Sequence, residues 1–149
     1  MKLVVSACLL GKACRYDAKS KAHPKAEALA ARWIESGGTV VDVCPEELGG
    51  LGTPRPPCDL AGGDGVDFWK GTAQVVPRAD RQCFSEGFRR GAEKALQYAK
   101  GCDQALLKAR SPSCGCGETW IDGKLQTGDG VFAARLRSMG IPLATEEDL

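Results

Sequence analysis

The sequence contains a single histidine, no surplus of charge and no long apolar run. With only His23 available, a metal centre in this chain must rely on thiolates, because a His-rich centre needs several imidazoles. The 20 Lys and Arg residues nearly balance the 19 Asp and Glu residues, and no basic run stands out, which argues against a nucleic-acid partner. No apolar run approaches the length of a membrane span, so we expect no membrane partner.

The beginning of the chain also lacks the features of a targeting segment. Met1 leads directly into a predicted strand that is too short to be the apolar core of a signal peptide, so we expect a cytoplasmic protein. A length of 149 residues fits one compact domain that spans residues 1–149. Nothing in the sequence indicates an oligomeric state.

Cysteine, by contrast, is abundant, with eight residues in the chain. Cytosolic thiols stay reduced, and disulfide scaffolds belong mainly to secreted proteins. Metal binding or redox chemistry is therefore the leading explanation for at least some of these cysteines.

Three of the cysteines follow predicted strands. Residues 2–6, 39–43 and 103–108 form short apolar runs that are typical of buried strands, and each run ends in a loop that carries a thiol. In chain order these thiols are Cys8, Cys44 and Cys114. If the strands are parallel neighbours, their carboxyl ends meet at one edge of the sheet, where open α/β folds place ligand sites. We therefore expect the three thiols to meet in one crevice.

Helical periodicity with flanking Pro and Gly predicts helices at residues 24–36, 81–100 and 130–138, and residues 141–144 predict a fourth strand. The apolar positions expected to face inward in and just after the last helix are Val131, Phe132, Leu136 and Met139. Helices that connect parallel strands follow the right-handed crossover rule, so both faces of the sheet are expected to be covered.

The remaining segments predict a lid and a hairpin. Residues 44–79 are rich in Gly and Pro and are expected to form the wall and lid of the crevice, with a short edge strand at 73–76. Asp122-Gly123 between two β-rich runs is a type I′ hairpin signal. The predicted fold is α/β: a single three-layer domain with a small, mostly parallel sheet of about four strands, helices on both faces and a small β-hairpin.

Three strand-end thiolates could bind zinc or an iron–sulfur cluster. In a cubane held by three cysteines one iron keeps a free position and can act as a Lewis acid toward a soft atom such as sulfur. The candidates that stay open as a fourth ligand are Cys14, Cys58 and Cys116. Cys83 and Cys102 are better explained as small buried hydrophobic residues, as is common for free cysteine.

Polar residues near these thiols are candidates for acid–base chemistry and ligand binding. Glu46, two residues after Cys44, is a candidate general acid or base, although a helix start would equally explain a carboxylate there. Ser111 and Ser113 could donate hydrogen bonds to a substrate, or could simply be turn residues around a proline. The candidates for orienting a polar ligand, or for stabilising loops, are Arg15, Tyr16, Asp17 and Arg55.

A set of motifs spread over essentially the whole chain carries a family resemblance. The motifs are Ser6-Ala7-Cys8-Leu9-Leu10-Gly11, Cys14-Arg15-Tyr16-Asp17, Val43-Cys44-Pro45-Glu46, Gly50-Leu51, Thr53-Pro54-Arg55, Gly91-Ala92-Glu93 and Ser111-Pro112-Ser113-Cys114-Gly115. In this order and spacing they resemble the family catalogued as domain of unknown function 523, whose short single-domain members include thiouracil desulfidases. The chain departs from the family pattern at Ala18, Asp59 and Cys83, where Gly, Glu and Thr are usual.

The resemblance implies a [4Fe-4S] cluster held by Cys8, Cys44 and Cys114. It implies removal of sulfur from thiouracil-type nucleobases or nucleotides, 2- or 4-thiouracil to uracil, by non-redox hydrolysis with the substrate sulfur on the open iron. Glu46 would be the catalytic carboxylate that deprotonates water, and Ser111 its hydroxyl partner, with Ser113 as the alternative.

Two other functions stay open on the sequence. A persulfide sulfurtransferase would need a reactive thiol and no iron, whereas a zinc- or cluster-binding interaction module would fill all four ligand positions and release no sulfide.

Overall fold

The computed structural model describes residues 1–78 and 83–149. The strands within these ranges are β1 (Lys2–Ser6), β2 (Thr39–Val43), β3 (Cys58–Ala61), β4 (Gln74–Pro77), β5 (Gln104–Leu107), β6 (Glu118–Ile121), β7 (Lys124–Thr127) and β8 (Leu143–Thr145). The α-helices there are α1 (Pro24–Glu35), α2 (Pro45–Leu48), α3 (Gly65–Lys70), α4 (Ser85–Tyr98) and α5 (Val131–Ser138).

The main sheet is parallel and confirms the predicted architecture. Its strand order is β2-β1-β5-β8, so the two strands nearest the centre are those that precede Cys8 and Cys114. Side chains alternate across this sheet: Leu3 and Val5 pack with Ala26 of α1, whereas Val4 packs with Phe88 of α4 and Phe132 of α5. Helices therefore cover both faces, as in other parallel sheets.

A second, mixed sheet has the strand order β4-β3-β6-β7. Strands β3 and β4 are antiparallel, β3 and β6 are parallel, and β6 and β7 form the expected hairpin. Asp122 and Gly123 have φ angles of 53° and 76°, so both central residues are left-handed, as a type I′ turn requires. Leu60, Val75 and Ile121 on the inner face join the same core as α4 and α5.

The expectation of a largely structureless segment over residues 44–79 is wrong. The segment contains α2, β3, α3 and β4, of which only the last was expected, as an edge strand. Helix α3 begins with a capping box in which Asp64 and Asp67 bond each other's backbone N–H groups, and this stabilises a helix of only six residues. Strand β3 is buried by tertiary packing, which its short Pro-flanked sequence does not reveal.

Two details of the predicted helices also change. Helix α4 begins at Ser85, so Cys83 lies before it and is exposed, and the expectation that Cys83 is buried is wrong. Arg81, the predicted start of this helix, lies outside the described residues. Met139 follows α5 and is 54% exposed, so its expected inward orientation is wrong. Across residues 1–78 and 83–149 no helix is long and apolar enough to cross a membrane.

Candidate active site

A cavity of about 370 Å³ lies at the carboxyl edge of the main sheet, where β1, β2 and β5 end. The three strands are adjacent and parallel, so the loops that follow them converge there. The second sheet closes one side of the cavity through Cys58, Arg78 and Trp120. The wall that was expected from the Gly- and Pro-rich segment is therefore built partly from strand ends.

The structure places Cys8, Cys44 and Cys114 in the lining of this one cavity. Cys8 lies in a 3-10 turn directly after β1, Cys44 is the residue before α2, and Cys114 lies in the loop after β5. All three are free thiols; Cys8 and Cys114 are buried and Cys44 is half-buried. Their convergence agrees with the arrangement expected from the strand ends, and their role as ligands remains a prediction.

Two of the undecided cysteines, Cys14 and Cys58, line the same cavity. The Cys14 thiol is in hydrogen-bond contact with the thiols of Cys8 and Cys44, and the Cys44 thiol also donates to the Cys14 carbonyl over 3.7 Å. Cys116 does not line the cavity; its thiol donates to the Cys114 carbonyl over 3.5 Å. The site is therefore richer in thiols than three ligands require.

Three of the cavity thiols, those of Cys14, Cys44 and Cys114, have a pKa above that of an ordinary thiol. A hydrogen bond from Cys44 favours the Cys14 thiolate, but the bond to Cys8 and burial outweigh it and raise the pKa of Cys14 to about 11. The bond to Cys14 and burial raise the pKa of Cys44. Burial raises the pKa of Cys114 to about 12, against hydrogen bonds from Ser6 and Ser113. A bound metal must therefore displace these protons.

Glu46 lies in the same cavity and is held on both carboxylate oxygens. Arg55 Nε donates to Oε1 over 2.9 Å, and Ser113 Oγ donates to Oε2 over 2.9 Å. The Glu46 side chain is 14% exposed, so the carboxylate keeps some access to the cavity while its orientation is fixed. A carboxylate whose orientation is fixed in this way can act as a general acid or base toward a ligand in the cavity.

The two serines have different places in this network. Ser113 contacts Glu46 directly, and Ser111 Oγ lies 3.0 Å from Ser113 Oγ. Ser111 Oγ also accepts the backbone N–H groups of Ser113 and Cys114, over 3.2 and 3.1 Å. Both of its lone pairs are thus used, so its proton points to Ser113, which in turn donates to Glu46. Ser111 reaches the carboxylate only through Ser113.

The cavity lining carries more cations than carboxylates although the chain is nearly neutral. Among the described residues, six cationic residues line it, namely Arg15, Lys21, Arg55, Arg78, Lys108 and Arg110, against the one carboxylate of Glu46. Arg15 and Lys21 form no ion pair with any residue in the described ranges. Such a lining favours an anionic ligand group.

Sequence reasoning missed several residues of this lining. Lys21, Arg78, Lys108, Arg110 and Trp120 were not identified as site residues. Lys108 is the last residue of the predicted third strand, so its position carried a usable signal, whereas Arg78 and Trp120 reach the cavity only through the second sheet. Arg78 lies over the Trp120 ring at 5.2 Å, and the pair forms part of the wall.

The candidates for orienting a polar ligand divide into two groups. Arg15, Tyr16 and Arg55 line the cavity, and Arg15 lies 5.7 Å from the centre of the Tyr16 ring. Asp17 does not line it; its carboxylate accepts the backbone N–H of Lys19 over 3.1 Å. Asp17 therefore stabilises the loop, which was the alternative reading.

The departures from the family motifs have local explanations. Ala18 adopts a φ of 61°, a left-handed conformation that favours the glycine usual there. Asp59 is buried and pairs with Arg78 Nε over 2.8 Å, which orients a wall residue. Cys83 makes no cap of α4, whose preceding residue is Phe84.

Helix α2 and Glu46 are positioned by a close contact with α4. Gly91 of α4 lies so close to α2 that an added Cβ would come within 1.7 Å of the Pro45 carbonyl oxygen. In the same way, a Cβ on Gly49 would come within 2.0 Å of the Gly87 carbonyl oxygen. Only glycine permits this approach, so the two helices fix the Cys44-Pro45-Glu46 segment against the core.

The donor set fits a thiolate-bound cluster better than a single ion. In the part of the chain that the structure describes, no group of three or more His, Cys, Asp or Glu residues is arranged to hold one metal ion. Cys8, Cys44 and Cys114 instead line one cavity of about 370 Å³. Soft thiolates on three separate loops are suitable ligands for an iron–sulfur cluster.

Comparisons with known proteins support the same cofactor, a [4Fe-4S] cluster. The sequence model of the 2-thiouracil desulfurase family matches residues 3–148. The uncharacterized protein YbbK of Bacillus subtilis (strain 168) is 39% identical over 152 residues, which cover 99% of this chain and 97% of that protein. The solved structure of the [4Fe-4S]-dependent thiouracil desulfidase TudS (DUF523Vcz) is 37% identical, with a TM-score of 0.79 over 99% of this chain and 92% of that one. The chain belongs to the 2-thiouracil desulfurase family.

Proposed function

We propose that the protein is an iron–sulfur-dependent desulfidase that converts 2- or 4-thiouracil-type compounds to their uracil counterparts by non-redox hydrolysis. The observation that carries the proposal is the meeting of three thiols and one oriented carboxylate in a single cavity. Family membership and the likeness to a [4Fe-4S]-dependent thiouracil desulfidase support it.

Cys8, Cys44 and Cys114 would hold a [4Fe-4S] cluster as thiolates. When bound by three cysteines, such a cluster supplies an iron with an open position, which is a Lewis acid suited to the sulfur of a thiocarbonyl group. The buried positions of Cys8 and Cys114 shield the site from bulk water. Cys14 and Cys58 line the same cavity but are not among the three proposed ligands.

Glu46 is the general base of the proposed reaction. It takes a proton from the water that attacks the carbon of the carbon–sulfur bond, and it can return that proton to the departing sulfur. Ser113 holds one oxygen of the carboxylate, and Ser111 fixes the direction of the Ser113 proton. Hydrolysis then exchanges sulfur for oxygen without a change in oxidation state, so no reductant is consumed.

The basic lining favours a nucleotide over a free base as the substrate. A thiouracil base is nearly neutral, whereas its nucleotide carries a phosphate that complements Arg15 and Lys21, the two lining cations without an ion pair in the described ranges. Tyr16 and Trp120 offer aromatic surface to the base. We further propose that the protein acts in the cytoplasm, because its eight cysteines are all free.

The test is sulfide release by anaerobically reconstituted protein without added reductant. Iron and acid-labile sulfide are quantified first, and 2- and 4-thiouracil are then compared with the corresponding thiouridine monophosphates. We expect sulfide and the uracil product in equal amounts, with a higher kcat/KM for a nucleotide. Cyanide-releasable persulfide on iron-free protein would instead indicate a sulfurtransferase, and a zinc-filled site without sulfide release would indicate an interaction module.

A further inference from the structure

Arg55 is a buried cation that contacts the catalytic carboxylate proposed above. Its side chain is 4% exposed, and its Nε donates to Glu46 Oε1 over 2.9 Å. Nη1 donates to the Gly52 carbonyl and to Thr53 Oγ1, each over 3.0 Å. Nη2 donates to the Cys14 carbonyl over 2.8 Å. The guanidinium thus links the segments that follow β1 and β2.

The backbone of Arg55 strengthens the same link. Its N–H donates to the Tyr16 carbonyl over 2.7 Å, so both main chain and side chain bind the 14–16 segment. Thr53, which accepts from Arg55, donates in turn to Glu47. Arg55 is therefore part of a network that fixes the position of the Glu46 segment relative to the Cys14 segment.

The contacts of Arg55 leave it little capacity to bind a substrate. A guanidinium has five N–H groups, and four of those of Arg55 are directed at protein acceptors. A buried arginine also needs a charged partner, and within the described residues Glu46 is the carboxylate with which it forms an ion pair. Arg15, in contrast, has no ion pair in the described ranges.

We propose that Arg55 is a positioning residue for Glu46, a role that rests on the proposed function. Its Nε binds Oε1, while Ser113 binds Oε2. Together the two contacts set the orientation of the carboxylate toward the attacking water. The planar fork allows one residue to bind Glu46 and the Cys14 carbonyl together. The single ammonium of lysine keeps the charge but not this double contact.

The kinetic test compares Arg55→Gln and Arg55→Lys with the wild-type holoenzyme. A small displacement of a reacting group costs about 100-fold in rate, so Arg55→Gln should lower kcat about 100-fold with KM changed less than about threefold. Arg55→Lys should have a kcat about tenfold higher than that of Arg55→Gln, because the positive charge remains. Both variants should keep the wild-type iron content and visible absorbance. A raised KM with an unchanged kcat would overturn the proposal, since Arg55 would then bind the substrate.

Arg90→Gln is the matched control. Its guanidinium binds the Gly49 carbonyl through Nε and Nη2, over 3.2 and 2.6 Å, on the same segment but away from Glu46. Substitution there should lower the Tm and leave kcat unchanged. A loss of kcat equal to that of Arg55→Gln would show that general loosening of the segment explains the effect, and this would also overturn the proposal.

A stability cycle tests the contact without any measurement of turnover. The Tm is measured for Arg55→Gln, for Glu46→Gln and for the double variant, all free of cluster. Because either single change leaves a buried charge without its partner, the double variant should lose no more Tm than the more damaging single variant. Additive losses would overturn the proposal. The Tm values do not depend on sulfide release. The contact between Arg55 and Glu46 and the proposed function are therefore tested independently.

Discussion

At the scale of single residues, the hydrogen bonds separate two serines that the sequence alone treats as equivalent. Ser113 donates to Glu46, while Ser111 accepts two backbone N–H groups and supports Ser113. The motif indicated Ser111 as the hydroxyl partner of the carboxylate, with Ser113 as the alternative. In the structure Ser113 contacts the carboxylate and Ser111 contacts Ser113, so both hydroxyls belong to the site.

The two serines should therefore respond differently to alanine substitution. Ser113→Ala removes one hydrogen bond to the carboxylate and should lower kcat about tenfold, with little change in Tm. Ser111→Ala leaves two backbone N–H groups of the cysteine loop without their acceptor and should lower the free energy of unfolding by about 1–2 kcal/mol. Steady-state kinetics and urea unfolding of both variants check this; equal losses of stability would contradict it.

Glu46→Gln isolates the proton-transfer step. The amide keeps the size of the side chain but cannot accept the proton of water, so kcat should fall by about 10²–10⁴-fold. The iron content and visible absorbance should stay at the wild-type level, because Glu46 is not among the predicted ligands. Sulfide release at the wild-type rate would remove Glu46 from the mechanism.

The predicted ligands are tested by serine substitution in five of the eight cysteines. Cys8→Ser, Cys44→Ser and Cys114→Ser should each lower cluster occupancy after anaerobic reconstitution, measured as iron and labile sulfide per chain, because a hydroxyl is a harder and poorer ligand for iron than a thiolate. Cys102→Ser is the control, since Cys102 lies outside the cavity lining. If Cys14→Ser lost iron as strongly as the three, a four-ligand site would replace the three-ligand proposal.

At the scale of elements, the contact between α2 and α4 determines where Glu46 lies. Gly91→Ala would place a Cβ 1.7 Å from a backbone oxygen of Pro45, so α2 must move. Gly87→Ala meets only the side chain of Leu51, at 2.4 Å, which can rotate away. Both changes occur in the same helix, so any gain in helix propensity is similar.

We therefore expect Gly91→Ala to lower the free energy of unfolding by about 2–3 kcal/mol and to reduce kcat, whereas Gly87→Ala should cost less than about 1 kcal/mol. Chemical unfolding and sulfide release measure both effects. Equal effects of the two substitutions would show that the close approach to Pro45 does not position the site.

The main sheet and the convergence of the three cysteines follow from short apolar runs and parallel-strand rules, and this much the sequence predicts. The second sheet does not follow in the same way. Strands β3 and β4 have four residues each and flank turns, so their pairing depends on burial against α4 and α5 rather than on local pattern. Helix α3 did carry a signal, Asp64 three residues before Asp67, which is typical of a helix start.

At the scale of the whole molecule, a nearly neutral chain encloses a basic cavity. The net charge of +1 conceals this, because the lining cations come from distant segments, and two of them, Arg15 and Lys21, have no ion pair in the described ranges. Arg78 joins the wall only because the second sheet folds over the first. Composition argues against a broad basic surface, but it cannot reveal a local cluster of cations.

The carboxyl end of the chain stabilises this cavity through Lys108. Lys108 Nζ lies 2.8 Å from Glu146 Oε2, with both side chains largely buried, and Glu146 also accepts the Ala109 N–H over 2.7 Å. Burial opposes the charge of Glu146, but the bonds to Lys108 and Ala109 outweigh it and lower the pKa of Glu146. The stabilising charge is therefore present above the ordinary pKa of 4.5 and is lost as the pH falls below it.

Glu146→Gln should accordingly lower the free energy of unfolding by about 3 kcal/mol at pH 7, because Lys108 loses its buried partner. The difference from wild type should narrow as the pH falls from about 4.5, the ordinary pKa that applies to the unfolded chain, to the lower pKa of the folded protein, where the wild-type carboxylate also loses its charge. Glu147→Gln breaks an exposed pair with Arg110 and should cost less than about 1 kcal/mol at any pH. Urea unfolding of both variants at pH 7 and at a pH below 4.5 checks these expectations. If the effect of Glu146→Gln did not vary with pH, the charge of Glu146 would not be the stabilising feature.

The placement of the three cysteines after separate parallel strands has a consequence for how the protein matures. Parallel pairing joins segments that are distant in the chain, and such long-range contacts form late in folding. If these three cysteines are the ligands, an unfolded or partly synthesised polypeptide offers no preformed trio of sulfur atoms to iron. We therefore expect the cluster to enter a chain that has already folded.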